Sequence, residues 1–276
     1  MRLVSAFREA GRVRGVFCDI DDTLTTEGRL TALAYAALER LRAAGKLVVP
    51  ITSRPAGWCD HIARLWPVDA VVGENGGFYF CYDAAARRLV RRFLDDEATR
   101  AAQRARLAAV RERILHEVPG SALTSDHSFR ETDIAIDFCE EMPRLPAAAI
   151  ERIVAIMEAS GLTAKLGPTR VNGRFGHCDA LGMIRALMQE RFGVDLDQPR
   201  ARGLCLRERL ARGCADVRVL SALGGRGQCA RCSGTDAGSA DIHHHRPLRR
   251  GICRAGRDDH PRGGEQPMNR AVTSGD

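Results

Sequence analysis

The sequence predicts an α/β fold in which a parallel-sheet core carries an inserted α+β unit, and three observations point to it. From Val16 to Val72, short apolar runs alternate with amphipathic stretches in the order strand, helix, strand, helix, strand. Right-handed crossovers turn that order into a parallel sheet. A long Arg/Ala/Glu-rich helical stretch, a strand and another helix then intervene before a last apolar helix resumes the core pattern. Finally, 276 residues with 45% hydrophobic and 28% charged side chains suffice for one large core or two modest ones. Together these describe a Rossmann-like core with an inserted α+β cap.

Each element has its own signal. Val16-Phe17-Cys18 before a cluster of acids reads as a short buried strand, and residues 30–44, apolar at helical spacing with Gly45 behind, as a helix. Residues 47–51 form the next buried strand, 57–66 a helix stopped by Pro67, and 69–72 a third strand. Residues 78–82 read as a further strand, 98–118 as the long helix, 133–138 (DIAIDF) as a strand, 146–160 as a helix, and 179–191 as the helix that returns to the core. The expected division is core 1–82, cap 83–165, return to core 166–197, and an irregular tail 198–276.

Charge sets the tail apart. Residues 1–197 hold 27 Lys and Arg against 27 Asp and Glu, whereas 198–276 hold 15 Arg against 8 acids. Phe192 is the last aromatic residue and Lys165 the last lysine, so the tail has little to bury. No run approaches the roughly 20 apolar residues of a membrane helix. The N-terminal MRLVSAFREAGRVRG is too charged for an apolar signal core. The expected location is cytoplasmic, with cysteines 18, 59, 81, 139 and 178 reduced.

The chemistry concentrates in GVFCDIDDTLT. Asp19 closes the first strand and Asp21 follows two positions later, so strand periodicity aims both carboxylates to one side of the sheet's carboxyl edge, where ligands bind. One carboxylate can attack phosphorus while the other gives and later takes a proton. Two such acids repel, which calls for Mg²⁺ between them and a phosphate. The bland alternative for a bare D-x-D is a solvated acidic turn, with Asp22 or Thr23 capping the next helix.

The string DIDDTLT resembles the first signature of the haloacid dehalogenase (HAD) superfamily, and the resemblance continues through most of residues 13–197. ITSRP at the second strand's end resembles the second signature, VVGENGG the segment that opens the inserted cap in the sugar-phosphatase-like subfamily IIB, and VNGRFGHCDALGMIRALMQERFGVDLD the return to the core. RETDIAIDF falls inside the cap. The resemblance implies a phosphomonoester hydrolase for a sugar phosphate or related small metabolite, working through an aspartyl-phosphate with Mg²⁺. Asp19 would be the nucleophile and a metal ligand, Asp21 the general acid/base and a metal ligand through its backbone carbonyl, and Thr52 a phosphate contact, with Ser53, Arg54 and Asn75 also in the phosphate or substrate site. Thr52 could instead cap a helix, Arg54 be a solvated charge and Asn75 form a turn. Arg130, Asp133 and Asp137 could touch a polar substrate, but alternation in DIAIDF already accounts for the two acids as the wet face of a strand.

Two features depart from that family. Its third signature has a lysine at the start of the returning helix, where this chain has Ala180; Lys165 lies 15 residues upstream and is not that lysine. The fourth, acidic signature is missing after Asp197. A catalytically impaired remnant of the fold is therefore the alternative reading. In the tail, Cys229 and Cys232 followed by His243, His244 and His245 have poor spacing for zinc. A shifted reading frame explains the tail better, because 204–231 can decode as an apolar strand and acidic loop like the missing signature. Nucleic-acid binding through the tail's arginines ranks last, for want of aromatic interleaving. No membrane partner is expected.

Overall fold

Residues 15–19 and 47–51 carry apolar side chains on both faces, as strands sandwiched between helical layers must. The computed structural model describes residues 13–176 and 179–197, and the backbone of 204–210 and 214–220. In chain order, β1 (Gly15–Asp19) leads into a two-strand hairpin, β2 (Thr25–Thr26) and β3 (Arg29–Leu30), then α1 (Ala32–Ala43), β4 (Leu47–Ile51), α2 (Ala56–Leu65) and β5 (Val71–Gly73). Next come β6 (Phe78–Asp83), β7 (Arg88–Phe93), α3 (Glu97–Glu117), β8 (Ala122–Leu123) and β9 (Ile134–Asp137). The described chain closes with α4 (Ala147–Ala159), β10 (Leu162–Leu166), β11 (Arg170–Phe175), α5 (Ala180–Phe192), β12 (Leu204–Leu210) and β13 (Cys214–Leu220).

Seven strands form the main sheet in the order β13-β12-β1-β4-β5-β6-β7. The inner four, β12, β1, β4 and β5, run parallel, while β6 and β7 form an antiparallel hairpin at one edge and β13 an antiparallel strand at the other. On one face Phe17, Val49 and Val72 meet Ile184, Leu187 and Met188 of α5. On the other, Val48, Val71 and Phe80 meet Leu38 of α1 and Cys59 and Ile62 of α2. A four-stranded sheet, β10-β11-β9-β8, carries α3 and α4 and has its own core around Ile114, Ile136 and Ile153.

The pairings move the expected boundaries. β7 pairs with β6 in the main sheet, so the chain leaves the core after Phe93 and not at 83. β11 pairs with β9 and β10 in the smaller sheet, so the return begins after Phe175 and not at 166. The hairpin's outer strand, RLVRRF, is an edge whose charged side chains face water, and so it lacks an apolar signature.

Two tail segments, 204–210 and 214–220, have a described backbone. The β12 backbone lies parallel to β1, with Phe17 opposite Leu206, and β13 pairs antiparallel to β12. Their sequences, LCLRERL and CADVRVL, alternate locally as suits strands. The rest of the tail, with its zinc and reading-frame expectations, lies outside the described residues. Amide exchange in 204–210 is expected to be slowed well below that of an unstructured peptide, because the ladders to β1 (204–207) and β13 tie up these amides. Exchange at unprotected rates, measured by mass spectrometry, would contradict the pairing.

Candidate active site

The carboxyl ends of β1, β4 and β5 converge because the register sets Asp19 beside Ile51 and Ile51 beside Val72. Asp19 ends β1, and Thr23 donates its hydroxyl to Asp19 Oδ2 at 3.4 Å. Burial first, and then the Asp21 carboxylate, push the Asp19 carboxyl up to about 6. Asp22 and Thr23 cap no helix, since α1 begins at Ala32 under Thr31, whose hydroxyl accepts from the Ala34 amide at 3.2 Å.

Thr52, 2% exposed, follows β4, and its hydroxyl accepts from the Arg54 amide at 3.0 Å. Arg54 is no solvated charge. Its Nη2 donates to Asp21 Oδ1 at 2.9 Å and its Nε to both Asp21 oxygens at 3.2 and 3.3 Å, while Nη1 reaches Glu140 at 3.2 Å. The guanidinium also stacks 4.7 Å from the centre of the Trp58 ring. Ser53 contributes its carbonyl, which accepts from Arg130 Nη1 at 3.2 Å.

The acids of DIAIDF are not the wet face of a strand: Asp133 is 4% and Asp137 3% exposed. Asp133 accepts from Arg130 at 2.8 Å and from Asn172 at 3.0 Å. Asp137 accepts from the amides of Cys139, Glu140 and Glu141 at 2.7 to 2.9 Å, fixing the loop from which Glu140 reaches Arg54. Strand alternation cannot distinguish a buried ion pair from a solvated face, because the partner residues are distant in sequence.

The turn after β5 carries the junction between the sheets. Glu74 and Asn75 hold left-handed φ values of 45° and 56°, followed by Gly76 at 101°. Glu74 is fully buried and accepts from the Ala56 amide (3.1 Å), the Glu131 amide (3.0 Å) and the Thr132 amide and hydroxyl (2.6 Å each). Burial, followed by the Asp133 charge, pushes its carboxyl up to about 7. Asn75 does form the turn, yet its Oδ1 also accepts from Lys165 Nζ at 2.9 Å. Neither Glu74 nor Lys165 stands out in the sequence as part of this site.

Shape alone would point elsewhere. An open groove of about 550 Å³ lies against α2, lined by Ala56, Asp60, Arg64, Phe80, Arg91 and Phe129, and it contains neither Asp19 nor Asp21.

A Thermoplasma acidophilum protein superposes with a TM-score of 0.52 at 14% identity, over 70% of this chain and 76% of that one. The C-terminal domain of Candida albicans trehalose-6-phosphate phosphatase superposes with a TM-score of 0.50 at 13% identity, over 64% of this chain and 62% of that one. With the inserted sheet and the motif order already described, these likenesses settle the fold. The chain has the haloacid dehalogenase fold. A haloacid dehalogenase-like hydrolase from Bacteroides thetaiotaomicron also aligns, at 10% identity and a TM-score of 0.49, over 70% of this chain and 80% of that one. No family model and no curated protein matches the sequence. Among the described residues, no helix is long and apolar enough to cross a membrane.

Proposed function

We propose that this HAD-fold chain is a phosphomonoester hydrolase for a small phosphorylated metabolite of the sugar-phosphate class, with Asp19 as its nucleophile. The observation that carries the reading is the half-buried Asp19 carboxyl at the end of β1, its pKa raised by burial and then by Asp21, at the edge that also holds Thr52 and the Glu74-Asn75 turn. An Asp19 oxygen attacks phosphorus, forming an acyl phosphate as the ester P–O bond breaks. Asp21 gives its proton to the departing oxygen. Asp21 then accepts a proton from water as that water attacks phosphorus, which releases inorganic phosphate and restores the Asp19 carboxylate. Arg54 holds the Asp21 carboxyl in one orientation throughout, and Asp137 fixes Arg54 through the Glu140 loop.

The residues fit Mg²⁺, which is commonly held by one or two carboxylates together with substrate phosphate and water. Asp19 through its carboxylate and Asp21 through its backbone carbonyl would hold it, and it would neutralise the charge of Asp19 and of the phosphate. Among the described residues no group of three His, Cys, Asp or Glu side chains converges on a metal position. That shortfall, with Ala180 at the start of α5, favours as second reading a catalytically impaired remnant that still binds phosphate. Inorganic phosphate release from an aryl phosphate and a hexose phosphate, with Mg²⁺ against a chelator, separates the two readings. Metal-dependent turnover supports the hydrolase, and binding without turnover the remnant.

Thr52→Val is expected to weaken phosphate binding about two- to tenfold, the worth of one neutral hydrogen bond, because it removes the hydroxyl and keeps the shape. Competitive inhibition by phosphate measures it. An unchanged inhibition constant would remove Thr52 from the phosphate site.

A further inference from the structure

The returning helix α5 begins at Ala180 and brings no cation to the carboxylate edge, while Arg54 is committed to Asp21 and Glu140. A phosphate dianion arriving beside two carboxylates needs a positive charge nearby. Lys165 stands on β10, in the smaller sheet, and reaches across to the core turn, where its Nζ donates to Asn75 Oδ1 at 2.9 Å. The Asn75 amide donates in turn to the Thr52 carbonyl at 3.1 Å. The next residue, Gly76, lies so close to α5 that a Cβ on it would stand 3.0 Å from Ala180 Cα. The turn therefore touches Ala180 on one side and holds the Lys165 ammonium on the other. Its charge also acts on Asp19, lowering the Asp19 pKa against burial and Asp21.

We propose that Lys165 is the phosphate-contacting cation of this site, delivered by the cap sheet to the place that a lysine at 180 would serve from α5. The proposal rests on the phosphate reading above and adds a residue to it. Three features support the assignment. Lys165 is exposed, so its ammonium is free to exchange an amide oxygen for a phosphate oxygen. It is one of two lysines, with Lys46, in a chain of 42 basic residues, so a compact point charge stands here among arginines. And the contact spans the two sheets, so a phosphate bound between Asp19 and Lys165 would draw cap and core together.

The two lysines make the test direct. In the full-length protein with Mg²⁺, reductive methylation is followed by mass spectrometry while orthovanadate, a mimic of the phosphoryl group, is added. Lys165 should be protected about tenfold and Lys46 left unchanged as the internal control. By calorimetry, Lys165→Ala should weaken vanadate binding about ten- to a hundredfold, as expected for a charge-assisted contact. Adding Ala180→Lys to that variant should restore most of the loss. Parental affinity in Lys165→Ala, or equal methylation of Lys165 with and without vanadate, overturns the proposal while leaving the phosphatase reading in place. A folded parent that binds no vanadate overturns both.

Discussion

Asp19→Asn is expected to abolish phosphate release, lowering kcat by at least about 10³-fold, while the protein stays as stable as the parent or becomes more so. The two effects have one cause. Asp19 is lifted to about 6 by burial and by Asp21, so at pH 8 the parent holds an ionised carboxylate where a neutral group would be easier to keep. The amide keeps the shape and an acceptor for the Thr23 hydroxyl, yet has no charge with which to attack phosphorus. Single-turnover phosphate release and urea unfolding, both at pH 8, measure the pair. A variant as fast as the parent would mean that another group attacks phosphorus. A variant that loses stability along with activity would assign Asp19 to the fold.

How much of this was legible in the sequence depends on how far apart the interacting residues lie. β4 falls on residues 47–51 as its apolar run predicts, and α1 to α5 lie within two residues of their expected bounds, because a strand buried on both faces and an amphipathic helix are local patterns. The placement of Asp19, Asp21 and Thr52 at one sheet edge follows from the same local reasoning plus one topological rule. What escaped is long-range. β11, RVNGRF, is buried along its whole length although three of its six residues are Arg or Asn, and β8 has only two residues. Arg170 and Asn172 of that strand find partners in Glu140 and Asp133, about 30 to 40 positions away. Lys165 meets Asn75 across 90 positions, so no motif spacing joins them. The pairing of β12 with β1 is likewise long-range, joining residues about 190 positions apart.

Glu74→Ala is expected to destabilise the protein by about 3–5 kcal/mol, because it orphans several buried donors at once. Those donors come from both sides of the junction: the Ala56 amide at the start of α2, and Glu131 and Thr132 from the segment leading into β9. The carboxylate is the group that ties them together, and Gly77 lets Thr132 approach, since a Cβ there would overlap its hydroxyl. Glu74→Gln tests the charge separately. Burial and Asp133 raise the folded carboxyl to about 7 from an ordinary value of 4.5. Between those values the folded protein holds a proton that the unfolded chain has lost, so the Glu74 contribution to stability is fully present below about pH 4.5 and is lost as pH rises through 7. Gln cannot ionise and removes that slope. The stability difference between parent and Glu74→Gln should therefore shift against the parent from pH 5 to pH 8, and subtraction cancels the other titrating groups, His127 among them. Urea midpoints at the two pH values give the answer. A difference that is flat with pH would show that the four donors hold Glu74 ionised in spite of its burial, and one that grows in the parent's favour would reverse the sign assigned here.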